Sequence, residues 1–307
     1  MIRRVQTLPP EVVRIADWGG EAGRRWVAGL PERLALLSAA WELTLGVPFT
    51  DGYCSYATPV TRADGSSAVL KVPFVDEENY AEARALQTYD GDGAVQLLNY
   101  HADTGAMLLE RAEPGSSLKA YPDRTEALEI ACALLTRLRR PLAPAVGHVA
   151  EIPDPPKGAQ MAAGIAATLR AAPSGAVPAE VLAAAIGWAD RLASAPAGPE
   201  LLVNRDAHLD NIRAARREPW LLIDPKPLVG EAALDGGWLL LDLLTDGPTR
   251  TLADEWAPRV AAGLDLDETR VRGWALIRAM ENAAFEAARG NDPSEDLAFA
   301  DAVAPPP

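Results

Sequence analysis

Asp206 and Asn211 lie five positions apart in the segment Asn204-Arg205-Asp206-Ala207-His208-Leu209-Asp210-Asn211, and Asp224 closes an apolar run thirteen positions later. Phosphoryl transfer from a nucleotide to a hydroxyl uses this set of groups. One carboxylate orients the attacking hydroxyl, while an amide and a second carboxylate hold the metal ions that bridge the phosphates. Asp206 is therefore the candidate catalytic residue. Asn211 and Asp224 offer one neutral and one charged oxygen to Mg²⁺, a hard cation that typically takes one or two carboxylates. The spacing alone recurs by chance, so its setting has to carry the reading.

That setting includes a lysine. Lys71 stands in Ala68-Val69-Leu70-Lys71-Val72, an expected strand, and no other lysine precedes Lys119. A strand lysine can pair nucleotide phosphates if a carboxylate holds it, and Glu82 on the following helix is the best-placed partner. Glu77 and Glu78 compete, but acidic residues at a helix start are favoured by the macrodipole alone. The segment Thr50-Asp51-Gly52-Tyr53-Cys54-Ser55 occupies the place of a phosphate-covering loop, with Ser55 as its cofactor-binding candidate, although it holds one glycine and no G-x-G-x-x-G.

Other groups near Asp206 leave choices open. His208 is expected to pack behind the loop and fix Asp206 or Asp224. A metallohydrolase would need three or four His, Asp or Cys ligands, and of the three histidines His101 and His148 stand in unrelated contexts. Lys226 either approaches phosphates or binds a carboxylate. Asp235 and Asp242 either stabilise the catalytic loop or face substrate.

The positioning elements follow from periodicity. Residues 19–43 read as one or two helices, with Trp26, Leu30, Leu34, Leu37 and Trp41 on one face and Pro31 able to begin the second. Strands are expected at 55–61 and 67–72 around an Asp64-Gly65 turn, and at 95–100 and 106–110 around Asp103-Thr104-Gly105. A helix capped by Asp76 reaches Tyr89. After the loop 112–117, helices are expected from Thr125 to Leu138 and at about 158–171, 178–194, 232–245, 250–263 and 268–289. The Pro-rich stretch 141–157 wraps the surface, and the tail 302–307 is expected to be disordered. The class is α+β, with an antiparallel sheet lobe at 1–111 and a mainly helical lobe at 112–307 that carries the catalytic and acceptor-binding groups.

Composition sets limits. Of 307 residues 49% are apolar, and the formal net charge is −14. Such an acidic chain repels nucleic acid and anionic membrane, whose partners cluster Lys and Arg, and it suits a cationic small molecule. The N-terminus has two arginines but no apolar region after them, so no secretory signal is expected. No run has the length of a membrane helix. The cysteines, Cys54 and Cys132, have no metal-ligand spacing and fit a reducing cytoplasm. A monomer or dimer is expected.

At this point the sequence resembles the streptomycin 6-phosphotransferase group (aminoglycoside/hydroxyurea antibiotic resistance kinases) within the aminoglycoside phosphotransferase superfamily. The likeness rests on Gly19-Gly20-Glu21-Ala22-Gly23-Arg24-Arg25-Trp26, Asp90-Gly91-Asp92-Gly93-Ala94-Val95, Met107-Leu108-Leu109-Glu110-Arg111, Arg217-Glu218-Pro219-Trp220-Leu221 and Ile223-Asp224-Pro225-Lys226-Pro227-Leu228-Val229-Gly230-Glu231. It implies a bilobal protein-kinase-like fold, ATP as donor, Mg²⁺ as cofactor, and Glu110 with its neighbours as the adenine-binding hinge. It also places Glu281 and Asn282 on a helix near the acceptor. The family's catalytic loop commonly begins with His where this chain has Asn204, which leaves the acceptor open.

The expected function is therefore ATP- and Mg²⁺-dependent phosphorylation of a hydroxyl on a small, polar, cationic molecule, an aminoglycoside such as streptomycin, conferring resistance. A metabolic kinase of the same fold with a sugar or amino-alcohol acceptor is the alternative. A pseudokinase acting through nucleotide binding alone is the more distant one.

Overall fold

The computed structural model describes residues 8–50, 52, 54–172 and 177–305. The expectations for the first seven residues, for Asp51 and Tyr53 of the phosphate-covering loop, and for Pro306 and Pro307 fall outside them. By internal contacts the chain forms two compact units, Met1–Glu113 with Pro144–Pro153, and Pro114–Ala143 with Asp154–Pro307.

The first unit is built on a five-stranded antiparallel sheet of order β1-β2-β3-β5-β4, with β1 Thr44–Leu45, β2 Ser55–Thr61, β3 Ser67–Pro73, β4 Leu97–His101 and β5 Ala106–Glu110. Alternate residues of a strand face opposite sides. Tyr56 and Val60, Ala68, Leu70 and Val72, and Ala106 and Leu108 accordingly join one hydrophobic core with Trp26, Leu30, Leu34 and Leu37 of α3 (Gly20–Ala40). Lys71 and Met107, paired across β3 and β5, fall on the other face. The Trp26 indole N–H donates to the Pro73 carbonyl at 2.9 Å, fastening α3 to the end of β3.

Two expectations change here. Pro31 lies inside a single continuous α3 rather than at the start of a second helix. Asp76 caps a turn, accepting from the N–H groups of Glu78 and Asn79, and α4 begins only at Glu82 and runs to Tyr89. Short helices α1 (Pro10–Val13) and α2 (Ile15–Trp18) precede α3.

The second unit holds α5 (Arg124–Leu138), α6 (Gly158–Ala171), α7 (Ala179–Ser194), α8 (Ala233–Leu243), α9 (Arg250–Leu264), α10 (Glu268–Ala288) and α11 (Ser294–Val303). Two antiparallel pairs accompany them: β6 (Leu201–Asn204) with β9 (Pro227–Gly230), and β7 (Ile212–Ala214) with β8 (Trp220–Leu222). Asp123 caps α5 by accepting from the N–H groups of Thr125 and Glu126. Helices α8 and α10 cross so closely that a Cβ on Gly237 would lie 2.6 Å from Trp274 Cβ, so the glycine is a packing requirement. Glu231, buried after β9, accepts from Arg270, from the backbone of Ala197 and from the Trp274 indole, tying β9 to α10.

The expected disorder of the C-terminal tail is corrected over its first part. Ala302 and Val303 belong to α11 and are buried. Small apolar side chains every three to four positions gave too faint a periodic signal beside Pro305-Pro306-Pro307. Among the described residues no helix is long and apolar enough to cross a membrane.

Candidate active site

In the first unit, Lys71 meets the partner expected of it. Its ammonium lies 2.8 and 2.6 Å from the two oxygens of Glu82. The two side chains are 9% and 1% exposed, so the pair is shielded and its geometry is firmly set. Strand alternation turns Lys71 away from the α3 core, and α4 begins at the residue that receives it. Ser55 opens β2 and is buried. Glu110 ends β5, where its carboxylate and its N–H both engage the backbone of Gln96.

In the second unit, the loop that follows β6 carries Asp206. The side-chain oxygen of Asn204, the last residue of β6, accepts from the N–H of Asp206 at 3.0 Å and from the N–H of Lys226 at 2.9 Å. One buried amide thus fixes both the loop that carries Asp206 and the segment after Asp224. The Asn204 N–H donates in turn to Asp235 of α8 at 2.7 Å, and Asp235 accepts from Arg139 at 3.0 Å. Asp242, one helical stretch later, accepts from the Leu209 N–H at 2.8 Å, and Ser117 donates to Asp210 at 2.6 Å. The loop is braced at both ends by residues remote in sequence.

These braces place three polar side chains around Asp206. Its Oδ2 lies 3.2 Å from Lys226 Nζ and accepts from Asn211 Nδ2 at 3.1 Å, and its Oδ1 lies 3.6 Å from His208 Nε2. Burial alone would raise the Asp206 pKa, but His208 and the Lys226 ammonium outweigh it and hold the group down at about 2. Burial lowers the His208 pKa, yet the Asp206 carboxylate and the charges of Asp242 and Asp210 carry it above its ordinary value.

Asn211 ends a 3-10 turn, and its carbonyl accepts from the Ile223 N–H at 2.8 Å, extending the β7–β8 pairing by one step. Asp224, the next residue, takes a left-handed backbone with φ 49°. A non-glycine residue there carries strain that the surrounding structure must hold, although Asp tolerates it better than most. The Asn211 amide nitrogen donates to Asp206, which leaves its side-chain oxygen as the neutral group that could meet a metal ion. Together with the Asp224 carboxylate this is a hard-oxygen set that fits Mg²⁺.

A cavity of about 260 Å³ opens beside Asp206 and His208, lined also by Trp238, Leu241, Asp242, Thr245, Arg278, Ala279, Asn282, Asp296 and Phe299. Of the acceptor candidates, Asp242 both braces the loop and lines this cavity. Glu281 is not among the lining residues; its carboxylate accepts from Arg278 at 2.9 Å, and the neighbouring Asn282 faces the cavity instead. The Arg278 guanidinium lies 5.7 Å from the Trp238 ring centre, so its charge is partly spent on Glu281 and on the ring.

Sequence reasoning missed Asn204 as organiser, although its departure from the histidine of the resembling family marked the position. It also missed Asp296 and Phe299, because α11 itself was missed. Lys226 was left undecided and is now placed against Asp206.

Residues 40–290 match the family model described as aminoglycoside/hydroxyurea antibiotic resistance kinase. The chain is 34% identical over 301 residues to a streptomycin 6-kinase of Streptomyces griseus, covering 94% of each chain. It is 35% identical over 315 residues to a hydroxyurea phosphotransferase of Kitasatospora aureofaciens, covering 97% of this chain and 86% of the relative. The fold is similar to the crystal structure of aminoglycoside phosphotransferase APH(4)-Ia, with a TM-score of 0.63 at 15% identity over 90% of this chain and 98% of that one.

Proposed function

The chain belongs to the aminoglycoside/hydroxyurea antibiotic resistance kinase family, and we propose that it transfers the γ-phosphoryl group of ATP to a hydroxyl of a small cationic acceptor of the aminoglycoside class, as a cytoplasmic resistance enzyme. The observation that carries this reading is Asp206, its backbone N–H held by Asn204, its carboxylate kept ionised by His208 and Lys226, opening onto the cavity that Asp242 and Asp296 also line.

In this reading Asp206 orients the acceptor hydroxyl and receives its proton, and most of the rate comes from positioning and charge stabilisation. Lys71, clamped by Glu82, pairs phosphate oxygens of the nucleotide, and Glu110 with its neighbours receives the base. Asn211 and Asp224 would hold Mg²⁺, which supplies positive charge to the phosphates. Carboxylates around an aromatic-walled cavity favour a cation over an anion. A cavity of about 260 Å³ lies below the roughly 300–1,000 Å³ of drug-sized sites, so it takes one ring of a larger acceptor.

A second reading has its own support, since a relative of nearly equal identity is a hydroxyurea phosphotransferase. One experiment separates the two. Purified protein is given Mg·ATP with a panel of aminoglycosides, hydroxyurea, neutral sugars and amino-alcohols, and products are followed by mass for gain of one phosphoryl group. Turnover of an aminoglycoside, sharply lowered but still measurable in Asp206→Asn, is expected. Turnover of hydroxyurea alone selects the second reading, turnover of sugars or amino-alcohols alone a metabolic role, and binding of nucleotide without any transfer a pseudokinase.

A further inference from the structure

We propose that Lys226 is a second catalytic residue whose ammonium group, held against Asp206, contacts the transferred phosphoryl group and offsets the charge on its oxygens. The inference rests on the ATP-dependent transfer proposed above. Its observation is independent of the expected nucleotide-binding groups: Lys226 Nζ lies 3.2 Å from Asp206 Oδ2.

The backbone makes that approach a built feature. Asn204 Oδ1 holds the N–H groups of Asp206 and Lys226 together, and the Arg205 N–H donates to the Lys226 carbonyl at 3.0 Å. The β6–β9 register then continues from Asn204 opposite Pro227. The backbones that carry the carboxylate and the ammonium are therefore fixed in one frame. Side-chain exposures of 24% and 23% leave both side chains partly open to solvent.

Geometry sets where the phosphorus must be. A hydroxyl oriented by Asp206 lies about 2.7 Å from the carboxylate, and its oxygen must come to about 3–3.5 Å from phosphorus. An ammonium 3.2 Å from the same carboxylate can then reach a phosphoryl oxygen when the phosphorus approaches on its side. A lysine that served only to neutralise Asp206 would weaken it as a proton acceptor. In a loose phosphoryl-transfer transition state base strength contributes little and charge on the equatorial oxygens matters more, so the placement is productive if Lys226 serves the phosphoryl group.

The step balances as follows. The acceptor O–H bond breaks as its proton passes to Asp206, and the oxygen electron pair forms the new O–P bond. The P–O bond to the leaving diphosphate breaks with its electron pair remaining on ADP, and Lys226 exchanges no proton.

The test compares wild type, Lys226→Met, Lys226→Arg, Asp206→Asn and the double variant Asp206→Asn/Lys226→Met, in steady-state reactions with Mg·ATP and the acceptor found for the wild type. Lys226→Met is expected to lower kcat by about 10²–10³-fold with both KM values within a few-fold, and Lys226→Arg to keep part of the rate. The loss should persist, at least tenfold, in the Asp206→Asn background. A kcat within threefold of wild type overturns the proposal. So does a loss that vanishes once Asp206 is changed, which would make Lys226 a positioning residue. Melting curves accompany each variant. If Lys226→Met does not fold, Lys226→Arg and Lys226→Gln carry the same comparison, and equal rates for these two overturn it. A wild type that transfers no phosphoryl group from Mg·ATP to any acceptor or to water overturns the phosphotransferase reading and this proposal together.

Discussion

The N–H of Asn204 donates to Asp235 at 2.7 Å, and through that bond the helical core reaches the start of the loop that carries Asp206. Asp235 belongs to α8 and is paired with Arg139 at 3.0 Å, so a carboxylate remote from the cavity fixes the position of one inside it. The arrangement makes stability and chemistry inseparable at this point.

Replacing Asp235 with Ala should therefore cost about 3–5 kcal/mol, because it strands a buried Arg139 and frees the Asn204 backbone. Denaturant unfolding measures the loss. Asp235→Asn keeps an acceptor for Asn204 and should lose less. Equal costs for the two would show that the Asn204 bond contributes nothing.

The Lys71–Glu82 pair should behave in a graded way. Glu82→Gln keeps the shape and removes the charge, so the KM for ATP should rise and kcat/KM fall by roughly 10–100-fold, about 1.4 kcal/mol per tenfold. Glu77→Gln should leave both unchanged. A Glu77→Gln variant as impaired as Glu82→Gln would contradict the assignment.

His208 gives a pH signature of defined sign. Its pKa is raised in the folded protein by Asp206 and its acidic neighbours. The stabilisation it contributes is thus fully present below its unfolded pKa of about 6.5 and is lost as pH rises through the higher folded value. The difference in unfolding free energy between wild type and His208→Gln should be flat near pH 5–6 and shrink above it. At the acid end it should shrink again as Asp206, held at about 2, becomes protonated. A difference that grows with pH above 6.5 would refute the pairing.

Helix α11 should prove structural and acceptor-facing at once. Val303 is fully buried, so Val303→Ala should destabilise by about 1–3 kcal/mol. Asp296 lines the cavity, and Asp296→Asn should raise the KM for a cationic acceptor several-fold without shifting the melting temperature. Asp301→Asn, on the exposed side of the same helix, is the control and should leave the KM unchanged.

Much was legible in the chain because it is local. Lys71 announces itself by strand alternation, and the strands and the helices α5 to α10 follow from periodicity that neighbouring residues impose on one another. The spacing of Asp206, Asn211 and Asp224 is likewise carried by one short loop and one hairpin, which a sequence shows directly. What the sequence left open depends on contacts between distant positions. Glu82 as the partner of Lys71, rather than Glu77 or Glu78, was decided by where α4 starts.

Lys226 could be placed only once Asn204 Oδ1 was seen to gather two backbone N–H groups 20 residues apart, those of Asp206 and Lys226. Asp235 and Asp242 look alike in sequence, each an acidic residue at one end of an apolar run. The first is turned to the Asn204 backbone and the second to Leu209 and the cavity, because a helix distributes its side chains around its axis and the packing of α8 chooses which faces the loop. The sequence by itself determined the candidate groups, their order and the class of chemistry. Only the tertiary structure decided which charges surround Asp206 and which side chains line the cavity beside it, since hydrogen bonds and electrostatic fields act through space and take no account of separation along the chain.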